Sequence, residues 1–245
     1  MLFLLDALNR LLNRLFAAPV DSLLAAIGVH PTYPTHPISN ALTLELVVMT
    51  GLIAVFAIIR ASLNVEQPGT AQLLAEMVDG FVSEQGDSVI GHDYVRHLPF
   101  VTTILLFVLS CNLMGLFPGI ETPTASPVVP LGIALLTFVY YNWIGVKAQG
   151  LWGYIKHFAG PVAWLTPLLF PIEIISHLAR IMSLTVRLYA NMFASDLLTL
   201  VFFSLIPIGI PIVFLGLHFF VALIQSYVFM LLAMIYLSQA SVVEH

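Results

Sequence analysis

Hydrophobic and polar positions fall in long blocks along this chain. Apolar runs of about 20 residues span roughly 40–59, 99–117 and 128–146. A helix of that length, at ~1.5 Å per residue, matches a hydrocarbon core ~30 Å thick, so each run predicts one membrane span. Glu45 lies near the start of the first, Arg60 closes it, and Lys147 closes the third. The last third differs. From Thr166 to Leu205 proline occurs only at Pro167 and Pro171; Pro207, Gly209 and Pro211 then interrupt the chain, and Ile212 to Ser241 runs without proline. A helix over 166–205 is ~60 Å long, twice the core, so it must tilt steeply, bend or run partly along the membrane plane. The pattern predicts a long, strongly tilted helical hairpin over 166–241. The fold class is therefore an all-α polytopic membrane protein with about five membrane-embedded helices.

Two polar stretches flank these spans. Leu4, Leu5, Leu8, Leu11, Leu12 and Leu15 recur at helical spacing, with Asp6, Asn9, Arg10, Asn13 and Arg14 between them. That is an amphipathic helix for a membrane surface or a partner, and its charges leave no signal-peptide core. Residues 1–37 thus read as this helix plus a Pro-rich loop (Pro31, Pro34, Pro37), and residues 38–245 as the membrane domain. Within it, residues 61–97 hold seven of the 21 charges and read as a polar loop with a short amphipathic helix near Ala71–Val82. Lys156 and His157 sit on a short polar link.

Composition agrees with the pattern and closes other classes. Charged residues make up 9% and hydrophobic residues 60% of the chain, with a mean hydropathy of +1.00. A soluble domain carries about 25% charge, so too few charges are present to cover a water-exposed surface, and disorder needs low hydrophobicity. The net charge of −5 offers no basic surface for nucleic acid. One cysteine, Cys111, excludes an intrachain disulfide and a cysteine metal site; neither a metal nor a cofactor is expected. Arg60, Arg96, Lys147 and Lys156 fall on one side of a five-span arrangement. The positive-inside rule makes that side cytoplasmic, with the N-terminus outside and the C-terminus inside.

Chemistry concentrates in the hairpin, where only Glu173, Arg180, Arg187 and Asp196 are charged. At about 100° per residue, Glu173, Ser176, Arg180, Ser183 and Asn191 all lie within about 40° of Arg187, forming one polar stripe ~27 Å long. Lipid cannot face it, because a central arginine costs at least ~2.5–3.5 kcal/mol there. Glu173 and Arg180 are too far apart on their face to touch, and Asp196 lies on the opposite side of the helix from Arg187. Arg187 therefore calls for a carboxylate on another subunit. Folding the hairpin about residues 206–207 places Asp196 beside His218, near one membrane face, and Arg187 level with Gln225 at mid-depth. His218, Gln225, Tyr236 and Gln239 share a face of the second helix. Asp196 and His218 both titrate, which suits a proton relay; Glu173 belongs near the opposite face. An acid near each face with a permanent cation between them describes two half-paths, since a continuous water pore would dissipate the membrane potential.

These residues resemble subunit a of the F-type ATP synthase. The matching strings are Ser183-Leu-Thr-Val-Arg187-Leu-Tyr-Ala-Asn191-Met-Phe-Ala194, then Gln225-Ser-Tyr-Val-Phe-Met230 through Tyr236-Leu-Ser-Gln-Ala240, and Cys111-Asn-Leu-Met-Gly-Leu-Phe-Pro-Gly119 with Pro123-Thr-Ala125 after it. The resemblance implies that Arg187 is the stator arginine, that Asn191 and Gln225 pack beside it, and that Asp196 and His218 belong to the outer half-channel. It places Glu173 and Ser183 in the inner one, with Ser176, His177 and Arg180 as further inner residues. Ala190 stands where the family often has Gly, and Asp196 is one methylene shorter than the usual Glu. The implied activity is proton flow through two half-channels to a c-ring carboxylate, driving rotation and ATP synthesis in a soluble sector. The implied partners are the c-ring, the peripheral-stalk subunit b, the other synthase subunits and the lipid membrane. No catalytic residue is implied, and no Walker A motif occurs in this chain. The implied location is a bacterial plasma membrane, the alternative being an organelle's energy-coupling membrane. A self-contained secondary transporter is the competing function, but the charged stripe has no counterpart in the first half of the chain, as an internal repeat would require. A haem anchor needs facing histidines, and His177 and His218 are out of register for that.

Overall fold

The computed structural model describes residues 2–26, 39–91, 93–117, 120–159, 166–205 and 209–241. Seven α-helices follow one another among them: α1 (Leu2–Ala26), α2 (Asn40–Ala61), α3 (Thr70–Val89), α4 (Tyr94–Met114), α5 (Val128–Ala159), α6 (Thr166–Leu205) and α7 (Ile210–Ser241). A single 3-10 turn, Pro123–Ala125, lies between α4 and α5. Five of the described helices are long and apolar enough to cross a membrane: α2, α4, α5 as far as Gly150, α6 and α7. The chain is an all-α, multi-pass membrane protein. The Pro-rich loop, the Pro118-Gly119 turn and the expected hairpin apex at Pro207 lie outside the described residues.

Local chemistry sets the helix limits. Ser39 caps α2 by accepting the Leu42 amide at 3.2 Å, and Arg60 sits in its last turn, where a cation suits the dipole. α4 starts five residues before the apolar run, because Tyr94 to Leu98 are helical without being uniformly apolar. Pro99 is accommodated early in that helix, where the lost amide donor disturbs few bonds. In α5 the helix breaks at Gly150, whose φ of 73° is open to glycine. The expected polar link beyond it is helical to Ala159. α6 runs the full 40 residues from Thr166, matching the stretch whose prolines are confined to Pro167 and Pro171.

The segment 61–97 is not the loop with one short helix that its charge suggests. α3 spans 20 residues, and Val82 is fully buried in a cluster with Val101, Leu105, Tyr141, Met230 and Leu237. Gly86 lets Tyr94 approach: a Cβ there would stand 3.1 Å from Tyr94 Cδ2. Gln85 accepts a hydrogen bond from the Tyr227 hydroxyl at 3.2 Å. Glu76, Asp79, Glu84 and Asp87 occupy the outward face. The inner side of α3 is Val78, Val82, Gly86 and Val89.

α7 is the central post, packed against α3, α4, α5 and α6. Phe229, Met230, Met234 and Leu237 are fully buried along it, and Leu188 and Met192 meet it from α6. Inside a bilayer the lipid is as apolar as these side chains, so close packing and dispersion hold the helices. α2 and α5 turn Ile53, Phe56, Ile58, Leu136, Val139 and Trp143 outward. α1 has two distinct sides. Asn9 and Asn13 are buried, while Leu11, Leu15 and Phe16 are exposed. Asn9 Nδ2 donates to Asn40 Oδ1 and Thr43 Oγ1, both at 2.9 Å, and Asn13 Nδ2 donates to Asn9 Oδ1 at 2.6 Å. Amides that lipid cannot satisfy bind the helix pair instead.

Candidate functional site

No proline follows Pro171 in α6 and no glycine occurs in it, so its 3.6-residue period carries the polar stripe unbroken. Leu184, Leu188, Met192 and Ser195 are buried, centred about 100° round the helix from Arg187. Met182, Val186 and Phe193 are exposed on the other side. The stripe thus runs along the edge of the packed face. Ser183 and Asn191 are exposed and Arg187 is half-buried. Arg187 Nη2 donates to Ser183 Oγ at 3.3 Å. Among the described residues, the two ion pairs are His177–Glu173 and His218–Asp196, so Arg187 has no carboxylate within reach.

The hairpin register brings α7 against this edge. Asn191 Nδ2 donates to Gln225 Oε1 at 2.8 Å, the Arg180 guanidinium lies 5.2 Å from the centre of the Tyr236 ring, and Phe202 stacks on Phe214 at 4.2 Å. Gln225 therefore stands opposite Asn191, one turn beyond the Arg187 level the expected apex implied. Of the face expected on α7, His218 and Gln225 are buried, Tyr236 is half-buried and Gln239 is exposed.

Asp196 and His218 do meet, with Oδ1 and Nδ1 3.5 Å apart. The histidine is almost fully enclosed, while a quarter of the aspartate side chain is exposed (1% against 26%). His218 Nε2 lies 2.9 Å from the Asn112 carbonyl oxygen. A carbonyl only accepts, so Nε2 carries the hydrogen, and Nδ1 is the nitrogen turned to Asp196 and to Ser195 Oγ at 2.9 Å. Asn112 is itself held: Thr124 Oγ1 donates to its Oδ1 at 2.6 Å, and its Nδ2 donates to Ser226 Oγ at 3.2 Å. Thr122 donates twice to Asp196, from the backbone amide to Oδ2 at 3.2 Å and from Oγ1 to Oδ1 at 2.8 Å.

A second acid–histidine pair lies some five turns earlier on α6. Glu173 Oε1 is 3.4 Å from His177 Nε2, and His177 Nδ1 is 2.8 Å from the hydroxyl of the buried Tyr141. Ser176 is half-buried beside them. Residue-by-residue reasoning missed Thr122, Ser195 and Tyr141. Asn112, Gly115, Thr124 and Ser226 lay within the matched strings but received no role. No group of three metal-ligating side chains occurs among the described residues.

Five apolar helices, with ionisable side chains inside them gathered mainly on one helical hairpin, define a polytopic membrane protein built around charged residues that lipid alone would reject. Residues 42–238 match the family model described as ATP synthase A chain. A protein of Koribacter versatilis (strain Ellin345) named ATP synthase subunit a is 50% identical over 234 residues, covering 96% of each chain. Its namesake in Solibacter usitatus (strain Ellin6076) is 44% identical over 95% of this chain and 99% of its own. That of Helicobacter pylori (strain P12) is 38% identical over 79% and 87% respectively. The chain belongs to the ATP synthase A chain family.

Proposed function

We propose that this chain is the ion-translocating stator subunit of a rotary F-type ATP synthase, non-catalytic itself, and that α6 meets the c-ring along its open edge. The observation that carries the reading is Arg187, a permanent cation on an unpacked helix edge with no carboxylate among the described residues in reach. Ser183, Ala190 and Ala194 lie on that side of α6, and small residues let a second helix approach closely. A carboxylate carried past on a ring helix would supply the counter-ion that Arg187 does not find among the described residues.

In this reading a proton enters from outside past Asp196 and His218 and neutralises a ring carboxylate. The ring turns, and the proton leaves on the other side of Arg187 towards Glu173, with Ser176, His177, Arg180 and Ser183 along the inner path. The guanidinium stays charged in essentially any protein setting, so it keeps the two paths apart. Asn191 and Gln225 stand one turn away and fix the helix pair beside it. The remaining assignments are the peripheral-stalk subunit b as a partner and a bacterial plasma membrane with the C-terminus inside. The test is Arg187→Ala in membrane vesicles bearing the assembled complex. ATP-driven proton pumping is expected to vanish while the subunit complement stays normal. Pumping at the parental rate would remove the stator assignment.

A further inference from the structure

Asp196 stands on α6 beside His218 of α7, yet neither helix fixes the orientation of its carboxylate. The His218 Nδ1 contact is long, at 3.5 Å, and that nitrogen also faces Ser195 Oγ at 2.9 Å. The restraint comes from elsewhere. Thr122, 74 residues away in sequence, holds both oxygens of Asp196, one through its amide and one through its hydroxyl. Only 2% of Thr122 is exposed, so water does not compete for these bonds from its side. It opens the 3-10 turn Pro123–Ala125, which is packed against α2, α4, α5 and α6. Gly115 lies directly beneath: a Cβ there would fall 2.0 Å from Thr122 Oγ1. The threonine is thus seated in a slot that its neighbours leave only for it.

We propose that Thr122 is a positioning residue that clamps the Asp196 carboxylate so that Oδ1 faces Nδ1 of His218, the single nitrogen through which that histidine exchanges its proton. The step is a transfer from the protonated Asp196 to neutral His218: the O–H bond breaks, an N–H bond forms at Nδ1, and a carboxylate and an imidazolium result. Nε2 keeps its hydrogen on the Asn112 carbonyl throughout. With Oδ2 on the backbone amide and Oδ1 on the hydroxyl, the carboxylate cannot rotate away between transfers. The donor pair also offsets the cost of the charge left on Asp196 after the proton leaves. This inference rests on the proposed role of Asp196 in the outer path.

The experiment uses the complete synthase in membrane vesicles, with ATP-driven acidification as the readout in light and heavy water. Thr122→Val removes the hydroxyl at nearly constant shape and is expected to slow pumping about fivefold or more, given the strength of hydrogen bonds to charged groups. The solvent deuterium isotope effect should rise at the same time, because proton transfer becomes limiting. Thr122→Ser keeps the donor and should restore both. Parental pumping in Thr122→Val overturns the proposal. So does a slower rate with an unchanged isotope effect, which is what a purely structural threonine gives. If Val does not assemble, Thr122→Ala is judged by the same isotope comparison. Asp196→Asn is measured alongside. Parental pumping in that variant removes the outer-path role of Asp196 itself, whereas a slowed Asp196→Asn with an unaffected Thr122→Val sinks only the clamp.

Discussion

Gly115→Ala isolates the packing behind the Asp196 cluster from every other property of the site. Gly115 has φ −66° and ψ −11° at the end of α4, a conformation any L-residue adopts. Glycine is not needed there for its backbone freedom, and alanine would gain about 1 kcal/mol of helix propensity. The added methyl meets side chains. It would lie 2.0 Å from Thr122 Oγ1, 2.8 Å from His218 Cε1 and 2.9 Å from His218 Nε2. Neither neighbour has a free rotation to spare. Thr122 Oγ1 is bound to Asp196 at 2.8 Å, and His218 Nε2 to Asn112 at 2.9 Å. Overpacking costs about 1–3 kcal/mol, and losing a hydrogen bond to a charged group about 1.5–3 kcal/mol. Less the propensity gain, the expected penalty is about 1.5–5 kcal/mol. Gly132→Ala is the control, since no atom lies within 4 Å of a Cβ built there. The assay is retention of this chain in the detergent-solubilised complex over a temperature ramp, paired with vesicle pumping. Gly115→Ala should leave the complex several degrees earlier and pump more slowly, with Gly132→Ala near the parent on both. Indistinguishable behaviour of the two variants would refute the claim that this cluster is tightly fitted.

Tyr141→Phe removes the hydroxyl from His177 Nδ1 while keeping the ring beside Tyr236. Assembly should be normal and pumping about two- to fivefold slower, matching the loss of one neutral hydrogen bond; a parental rate separates Tyr141 from the inner path. Asn9→Ala strips α1 of its bonds to Asn40 and Thr43, worth about 1–2 kcal/mol together. Hydrogen exchange of the α1 amides should then quicken roughly 5- to 30-fold, and unchanged protection would show that α1 is held by other contacts.

The hairpin was legible because its physics is one-dimensional. A stretch without helix breakers sets α6, and two antiparallel helices joined by a short link leave little freedom of register, so Asp196 and His218 could be paired from sequence spacing alone. The register error of one turn at Gln225 has the same origin: spacing measures the link's length, not its path. Thr122 was out of reach for a different reason. It sits on a connection with no periodicity, and its partner lies 74 residues on. Only the matched Asn112–Gly119 and Pro123–Ala125 strings pointed to that region, without saying what it held. The leucine spacing of α1 marks a side for a membrane surface or a partner, and Leu11, Leu15 and Phe16 are outward. That spacing does not supply the tie to α2: a helix among lipids packs by its small and polar groups, and Asn9 carries the bonds to Asn40 and Thr43. α3 extends past Val82 to Val89 through a stretch of Ser, Glu, Gln, Gly and Asp that an apolar pattern does not mark as helix.

Both acid–histidine pairs on α6 use one device with opposite polarity. At Asp196, His218 gives Nε2 to the Asn112 carbonyl and turns Nδ1 to the acid. At Glu173, His177 gives Nδ1 to the Tyr141 hydroxyl and turns Nε2 to the acid. Each ring commits one nitrogen to the scaffold, and that tether sets its angle; at His218 the Asn112 carbonyl sets the tautomer as well. A tethered ring cannot flip, so in the proposed path each histidine must take up and give back its proton at the same atom. Such a site runs equally well in either direction, because loading and unloading retrace one geometry. Direction would then be imposed from outside the chain, by the membrane potential or by torque from the soluble sector. Arg187 fits the same logic. Among the described residues its side chain makes one hydrogen bond, at 3.3 Å to Ser183, which leaves most of its donors for a carboxylate that comes and goes. The rigid residues face α4, α5 and α7, the uncommitted cation stands at the open edge, and α6 is the boundary between them.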